Sequence, residues 1–592
     1  MKMKTSKNIL SFLLLLAGSV VTVQAQDSIV DRNVTVEREY KPVIQDAGKI
    51  NSVPKVLEPT VEKTVPDYSN FNLPLNADFN IHTLPAAELL REKRLESKGG
   101  FARIGFGNHY NTLADFAYPI VKMPDLRLDF SLNHLGTFDQ KAHSKTKAAF
   151  SFDKYFKSFD IYAGVGGGHE YFNYYGDNFN RDTTLNLKTL AMAPGTINYK
   201  EKNRSGIDNI PRIFDIDSLA NDSTSNTFWR FNAFAGVRSL PLSTGFRYQV
   251  EMEYNMLKSV YGFGENFIHT KALFNKKSKL NRAGLDVDMY NLMYTSKDGN
   301  TLNFWDAYTV VALNPYYSIE HKHFDVRLGA KVSFSFVPGR ILLNPSPDVR
   351  AEWKIIPKYT SIYAGIGGDY EVNTMNNMLS ENRFLFQEIR VKDTYTPIDF
   401  FAGIKLKPVY NLLLDAYIDY KLIDNQYFFV NKAYDLENGI APAADYVLYT
   451  NRFDVLYSSA SLTRIGVRAN YNLRNRVNVA LKGAYNNWTV SNEQFAWNKP
   501  KWEADLSTDV HVTRNLSVSA NAFFEGVRYA KLGDRAVRMR PKVDINLGTS
   551  YNYNNWLTAF AKINNLINNP YQDYYGYEVQ GINVLVGAAF SF

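Results

Sequence analysis

The sequence predicts an all-β protein: a transmembrane antiparallel β-barrel of about 22 strands (18–22), preceded by an extended N-terminal periplasmic arm. Three observations carry this. Long segments alternate apolar and polar residues with period two. The breaks between them are alternately short and long. The chain ends inside such an alternation, on GINVLVGAAFSF at 581–592, with Phe592 as its last residue.

The composition agrees. The 592 residues exceed one ordinary globular core, a limit that a closed barrel escapes by adding circumference. Aromatic residues are 14%, mostly Tyr and Phe, as suits strands. There is no cysteine, which excludes a disulfide scaffold, a cysteine-based metal or redox centre and a lipid-modified cysteine. The net charge of +8 is spread along the chain without a Lys/Arg block. It reads as a surface or lumen bias and not as a nucleic-acid footprint.

Residues 1–25 read as a secretory signal peptide: Lys2, Lys4 and Lys7, an apolar stretch around Leu13–Leu16, and Val23-Gln24-Ala25 before the cleavage point. No later stretch is long and apolar enough for a helical span. The expected location is the cell outer membrane. Residues 26–98 carry Pro42, Pro54, Pro59, Pro66, Pro74 and Pro85, a density that prevents helix and removes strand donors. They read as a periplasmic arm or partial lumen filler, with one short helix at Ala86–Glu96 behind Pro85. Val34, Val36, Tyr40, Pro42 and Ile44 are the candidate docking residues, because an extended segment with alternating β-branched residues can add as a strand to a partner.

From residue 99 to 592 the dyad pattern dominates. Leu126–Asn133 alternates without a break. Phe324, Val326, Leu328, Ala330, Val332, Phe334 and Phe336 share one face, and Asp325, Arg327, Gly329, Lys331, Ser333 and Ser335 share the other. Leu516–Phe524 repeats the arrangement. Segments of about 9–11 residues suit a tilted membrane strand. Short breaks fall near residues 124, 157, 242, 277, 322, 358, 409, 475, 514 and 554, with longer polar inserts near 173–225, 372–396 and 426–450. Short turns alternating with longer loops are the layout of an outer-membrane barrel.

In lipid no backbone donor can stay unpaired, so the sheet must close. The first strand, near 100–109, must therefore pair with the last, near 581–592. Apolar faces go to lipid and polar faces inward, which makes Arg127, Asp129, Asp325, Arg327 and Lys331 candidate lumen residues. Tyr and Phe runs such as 171–175 and 571–577 suit aromatic girdles at the membrane interfaces; carbohydrate stacking is the other reading.

The stretch KINNLINNPYQDYYGYEVQGINVLVGAAFSF at 562–592 resembles the last hairpin of the TonB-dependent receptor family, through Ile563, Asn565, Leu566, Tyr571, Tyr577, Gly581 and Phe592. The resemblance implies a large outer-membrane barrel. The ending Val586, Phe590 and Phe592 also resembles the terminal-strand signal read by the outer-membrane assembly machinery. The family carries an N-terminal plug of well over 100 residues behind a TonB box. Residues 26–98 are shorter and show no plug pattern, so the resemblance is to a plug-less member. Val34-Thr35-Val36 is only a faint TonB-box match, and TonB coupling stays open.

Other motifs carry less. Tyr162-Ala-Gly-Val-Gly-Gly returns as Tyr363-Ala-Gly-Ile-Gly-Gly, but no helix pattern follows either copy, as a nucleotide loop requires. The glycines read as strand positions that a neighbouring chain or loop approaches closely, and their recurrence as repeated hairpin geometry or as room for large inward side chains opposite. His321-Lys322-His323 reads as a solvated turn, and the other histidines form no ligand-spaced cluster. Asp215 with Asp217, or His169 with Glu170, lack a converging nucleophile and base. No enzyme, metal or other cofactor is expected. The expected function is solute transport across the outer membrane through a polar lumen. The alternative is a structural or accessory subunit that docks a periplasmic or outer-membrane protein partner through residues 26–98. Outer-membrane lipid is the surrounding partner in both.

Overall fold

The computed structural model describes residues 99–176, 225–240, 245–295, 307–387, 389–433, 449–473 and 476–592. The expected signal peptide, the arm with Val34, Val36, Tyr40, Pro42 and Ile44, and Asp215 and Asp217 lie outside the described residues.

Twenty-two strands form one antiparallel sheet. They pair in chain order, passing over two small hairpins, Arg528–Met539 and Gln572–Glu578, that belong to connections. The sheet closes as the sequence requires. Phe101–Gly107 pairs with Asn583–Ser591, Phe101 opposite Ser591 and Gly107 opposite Leu585. Phe592 donates its N–H to the carbonyl of Gly100 at 2.9 Å, so the ladder continues to the carboxylate.

All ten expected turns separate consecutive strands. Two are displaced: Lys276–Ser278 is still strand and the turn is 279–280, with Lys279 at φ 45°; Pro408 and Val409 are still strand and the turn is 410–411. These turns share one rim with both ends of the sheet. The other rim carries the longer connections, 372–393 and 565–582 among them. Many strands are longer than the 9–11 residues expected, up to 22 at Leu412–Ala433 and 25 at Tyr449–Leu473. The surplus lies at the loop rim, where the wall continues past the length that lipid alone demands.

The apolar faces point outward. Phe106 is 64% exposed, Trp353 61% and Val586 54%, and Ile104, Leu328, Ile418, Ile465 and Leu481 join them. Large apolar side chains that exposed have no place on a water-soluble sheet of this size. They form the belt that a bilayer covers.

The inward face is polar and interlocked. Tyr162 lies opposite Gly236 and Gly164 opposite Phe234. A Cβ on Gly236 would sit 2.5 Å from the Tyr162 ring, and one on Gly164 2.5 Å from Phe234. The second copy of the motif repeats the joint. Tyr363 lies opposite Gly403 and Gly365 opposite Phe401, with contacts of 2.4 Å. The sequence Phe-Ala-Gly answers Tyr-Ala-Gly both times, at 234–236 and 401–403. The glycines thus make room for rings laid along the wall. Each tyrosine then reaches one strand further: Tyr162 donates to Glu251 at 2.5 Å and Tyr363 to Asp415 at 2.8 Å. Arg238 and Lys405 cover the two rings from the lumen.

Candidate functional site: the stoppered mouth of the barrel

The strand Thr360–Glu371 parts from Arg340–Ile356 beyond Ile366, stays paired with Thr394–Val409 as far as Glu371, and feeds the connection 372–393 into the mouth. This connection was expected as a polar insert. It carries Met375, Met378, Leu379, Phe384, Leu385 and Phe386, and the first five are buried. A short helix, Met375–Glu381, starts where the Thr374 side chain accepts the N–H of Asn377.

Glu265, on the wall strand Gly264–Ser278, is 1% exposed and accepts the N–H of Met375 at 2.6 Å and of Asn376 at 3.1 Å. A carboxylate there satisfies two helix donors that have no partner within the helix. Arg230, on the strand Ser225–Ser239, donates to the side chain of Asn376 at 2.8 Å and also bonds Glu170. His143 meets the same carboxylate at 3.1 Å. The helix is therefore held against the wall by fixed polar contacts on one side.

Its other end crosses to a different part of the wall. Glu381 accepts from Tyr427 at 2.7 Å and from Lys499 at 3.1 Å. Burial alone would raise its pKa; Lys499 and the Tyr427 hydroxyl outweigh that and hold it below the usual range. Phe384 then stacks on Tyr577 with ring centres 3.6 Å apart, with Phe172 and Tyr175 edge-on. Backbone bonds join Phe386 N–H to Phe453 carbonyl at 2.8 Å and Phe453 N–H to Phe384 carbonyl at 3.1 Å. The hairpins 528–539 and 572–578 close in from above, with Ala530, Leu532, Met539, Tyr575 and Tyr577 in the same apolar core. Arg528, 2% exposed, ties the two hairpins by donating to the carbonyls of Asp573 and Gln572.

Asp393 ends the connection. Tyr308 and Tyr370 donate to its two oxygens at 2.7 and 2.8 Å, and the N–H of Asn373 adds a third bond at 3.2 Å. Burial pushes its pKa up to about 6, against the pull of these donors.

These observations revise one expectation. Phe172, Tyr174, Tyr175, Tyr574, Tyr575 and Tyr577 are not a membrane girdle. They pack inside the mouth, because the inward-folded connection offers them an apolar partner. Girdle positions fall to Trp353, Trp556, Tyr118 and Phe592 near the turn rim and to Phe106, Trp229 and Trp502 near the loop rim.

The lumen candidates do not converge. Arg127 pairs with Asp129 at 2.5 Å on one strand. On another, Asp325 pairs with Lys354 at 2.6 Å, Arg327 with Asp348 at 2.8 Å, and Lys331 with Asp369 at 3.1 Å. One pair lies within a strand, two join neighbouring strands and one reaches two strands away, so they form no single binding constellation. Val586, Phe590 and Phe592 lie on the closing strand or at its end, Phe590 stacked on Trp556 and Phe592 on Tyr118. His321 and His323 sit in a turn, and His169 lies against Trp229. Among the described residues no group of three or more His, Cys, Asp or Glu could hold a metal.

Asn565, Tyr571 and Tyr577 of the family-like hairpin are anchors of the last connection. Asn565 donates to the carbonyls of Asn569 and Gln580, and Tyr571 to Asp544 at 2.8 Å. The residues the sequence reading missed are Glu265, Asp393 and Phe384. The available signal was the apolar run inside the 372–396 insert.

No family model matches the chain, and no curated protein matches it. Solved structures do. The ferripyoverdine receptor of the Pseudomonas aeruginosa outer membrane aligns with a TM-score of 0.58 at 11% identity, over 85% of this chain and 72% of that one. The siderophore receptor PirA from Acinetobacter baumannii gives 0.59 at 10%, over 85% and 81%. The copper transporter OprC gives 0.57 at 12%, over 85% and 81%. This chain has the barrel fold of TonB-dependent outer-membrane receptors.

Proposed function

We propose that this protein moves a solute across the outer membrane, through a polar lumen gated at its extracellular mouth by the connection 372–393. The observation that carries this is the stopper itself. A barrel with a charged inner wall carries in its mouth a segment of its own chain, packed with the hairpins 528–539 and 572–578 and held by hydrogen bonds and packing that can come apart. The likeness in fold to receptors and a transporter supports the reading. We assign lumen closure chiefly to this connection, with residues 26–98 as a partial filler.

The test is conductance in planar bilayers. The whole chain should conduct little, and a variant with residues 375–390 replaced by a short Gly/Ser linker should conduct strongly. If that variant inserts as a barrel and stays closed, the transport reading fails.

The size of the apolar core at the mouth favours a second reading, an accessory subunit whose barrel is a membrane anchor. In that case the arm, through Val34, Val36, Tyr40, Pro42 and Ile44, docks a periplasmic or outer-membrane partner. Mild detergent extraction should then recover a partner that is lost on deleting residues 27–98.

A further inference from the structure

The ladder between Arg340–Ile356 and Thr360–Glu371 is half missing. Pairing runs from Val349 opposite Ile366 down to Ile356 opposite Thr360. Residues 340–348 pair with Phe324–Val337 on one side, and among the described residues they have no ladder on the other. In a bilayer such an edge is costly, since a backbone group left unpaired there has no water to replace the lost hydrogen bond.

The cause is the strand that feeds the stopper. Thr360–Glu371 breaks register between Gly367 and Asp369. A Cβ on Gly368 would lie 2.6 Å from the Thr396 carbonyl and 2.7 Å from the Ser346 Cβ, so only glycine fits where the strand parts from Arg340–Ile356. Behind it the strands Arg340–Ile356 and Thr394–Val409 close up, but only by side chains. Tyr395 donates to the carbonyl of Pro345 at 2.5 Å, and Ser346 to that of Thr396 at 3.4 Å.

The sequence on this edge fits a join that is meant to part. Pro345 and Pro347 carry no N–H, so they leave no donor orphaned when the join opens. The flanking outward residues Ile341 and Leu343 are exposed and apolar. On the lumen side, Asn344 lies opposite buried Ser333 and carries an amide nitrogen without a partner, and Lys331 and Asp369 form an ion pair just inside.

We propose that this join is a lateral opening through which an amphiphile from the outer leaflet, hydrocarbon chain toward lipid and polar head toward Asn344, Lys331 and Asp369, enters the lumen. The opening lies in the wall and does not depend on whether the lumen conducts, so its test is separate from the conductance test above.

The chain has no cysteine, so a designed pair can lock the join. The full chain with Ser346→Cys and Thr396→Cys, two positions that face each other across the join, is reconstituted in vesicles of phosphatidylethanolamine and phosphatidylglycerol containing a phospholipid with a photoactivatable acyl chain. Crosslinked residues are then mapped by mass spectrometry. Reduced protein should show at least fivefold more labelling at the inward residues 331, 344 and 369 than at the inward residues 249, 251 and 271 of a fully paired stretch. Oxidation should remove the excess and reductant restore it. Equal labelling at the two stretches, or labelling indifferent to the lock, would each overturn the proposal.

Discussion

The phenolic ring of Tyr162 lies across Gly236 on the next strand, and its hydroxyl bonds Glu251 on the strand beyond, so one side chain joins three strands of the wall. Tyr363, Gly403 and Asp415 repeat the joint elsewhere in the sheet.

Gly236→Ala should therefore loosen the wall. The new methyl must move the ring, at about 1–3 kcal/mol for overpacking, with about 1 kcal/mol more if the Glu251 bond is lost. Gly403→Ala should behave alike. Gly167→Ala is the control, since nothing lies within 4 Å of a Cβ there. Urea unfolding midpoints in vesicles, followed by heat-modifiable gel mobility, should fall for the first two and hold for the third.

Asp393 makes the stopper pH-sensitive. Its carboxyl is raised from 3.8 to about 6 when the mouth is closed, so the closed form binds the proton more tightly than an opened one. This contribution is present at acidic pH and is lost as pH rises through about 6. After correction for intrinsic rates, amides of 372–393 that exchange by opening should exchange about tenfold more slowly at pH 5 than at pH 8. Asp393→Asn should remove this share of the difference and leave the share of Glu265, the other buried carboxyl that holds the connection.

Phe384→Ala should open the mouth without unmaking the barrel. It removes a ring stacked on Tyr577 and leaves a cavity, a loss of about 3–5 kcal/mol confined to the stopper. Bilayer conductance should rise while the urea midpoint of the barrel stays near that of the parent chain.

Phe592 both closes the ladder through Gly100 and stacks on Tyr118. Deleting it should lower the fraction of chain that reaches the outer membrane as a folded barrel, through poorer closure of the sheet. Unchanged yield of heat-modifiable barrel in membrane fractions would refute both roles.

The sequence by itself determined the barrel, a range of 18–22 for its strand number and the pairing of its first strand with its last; the count of 22 came from the structure. Period-two alternation is a local property, and closure follows from lipid's intolerance of an open edge. The glycines of the repeated motif were legible as space for rings. Which rings, at Phe234 and Phe401, needed the register of the neighbouring strand. Only the tertiary structure decided the fate of 372–393. Glu265 meets the helix start 110 residues away along the chain, and Phe384 meets Tyr577 from another connection. No periodicity encodes such meetings. They arise because an apolar run in a loop must bury itself, and the strand Thr360–Glu371 delivers it to the apolar cluster in the mouth of the barrel.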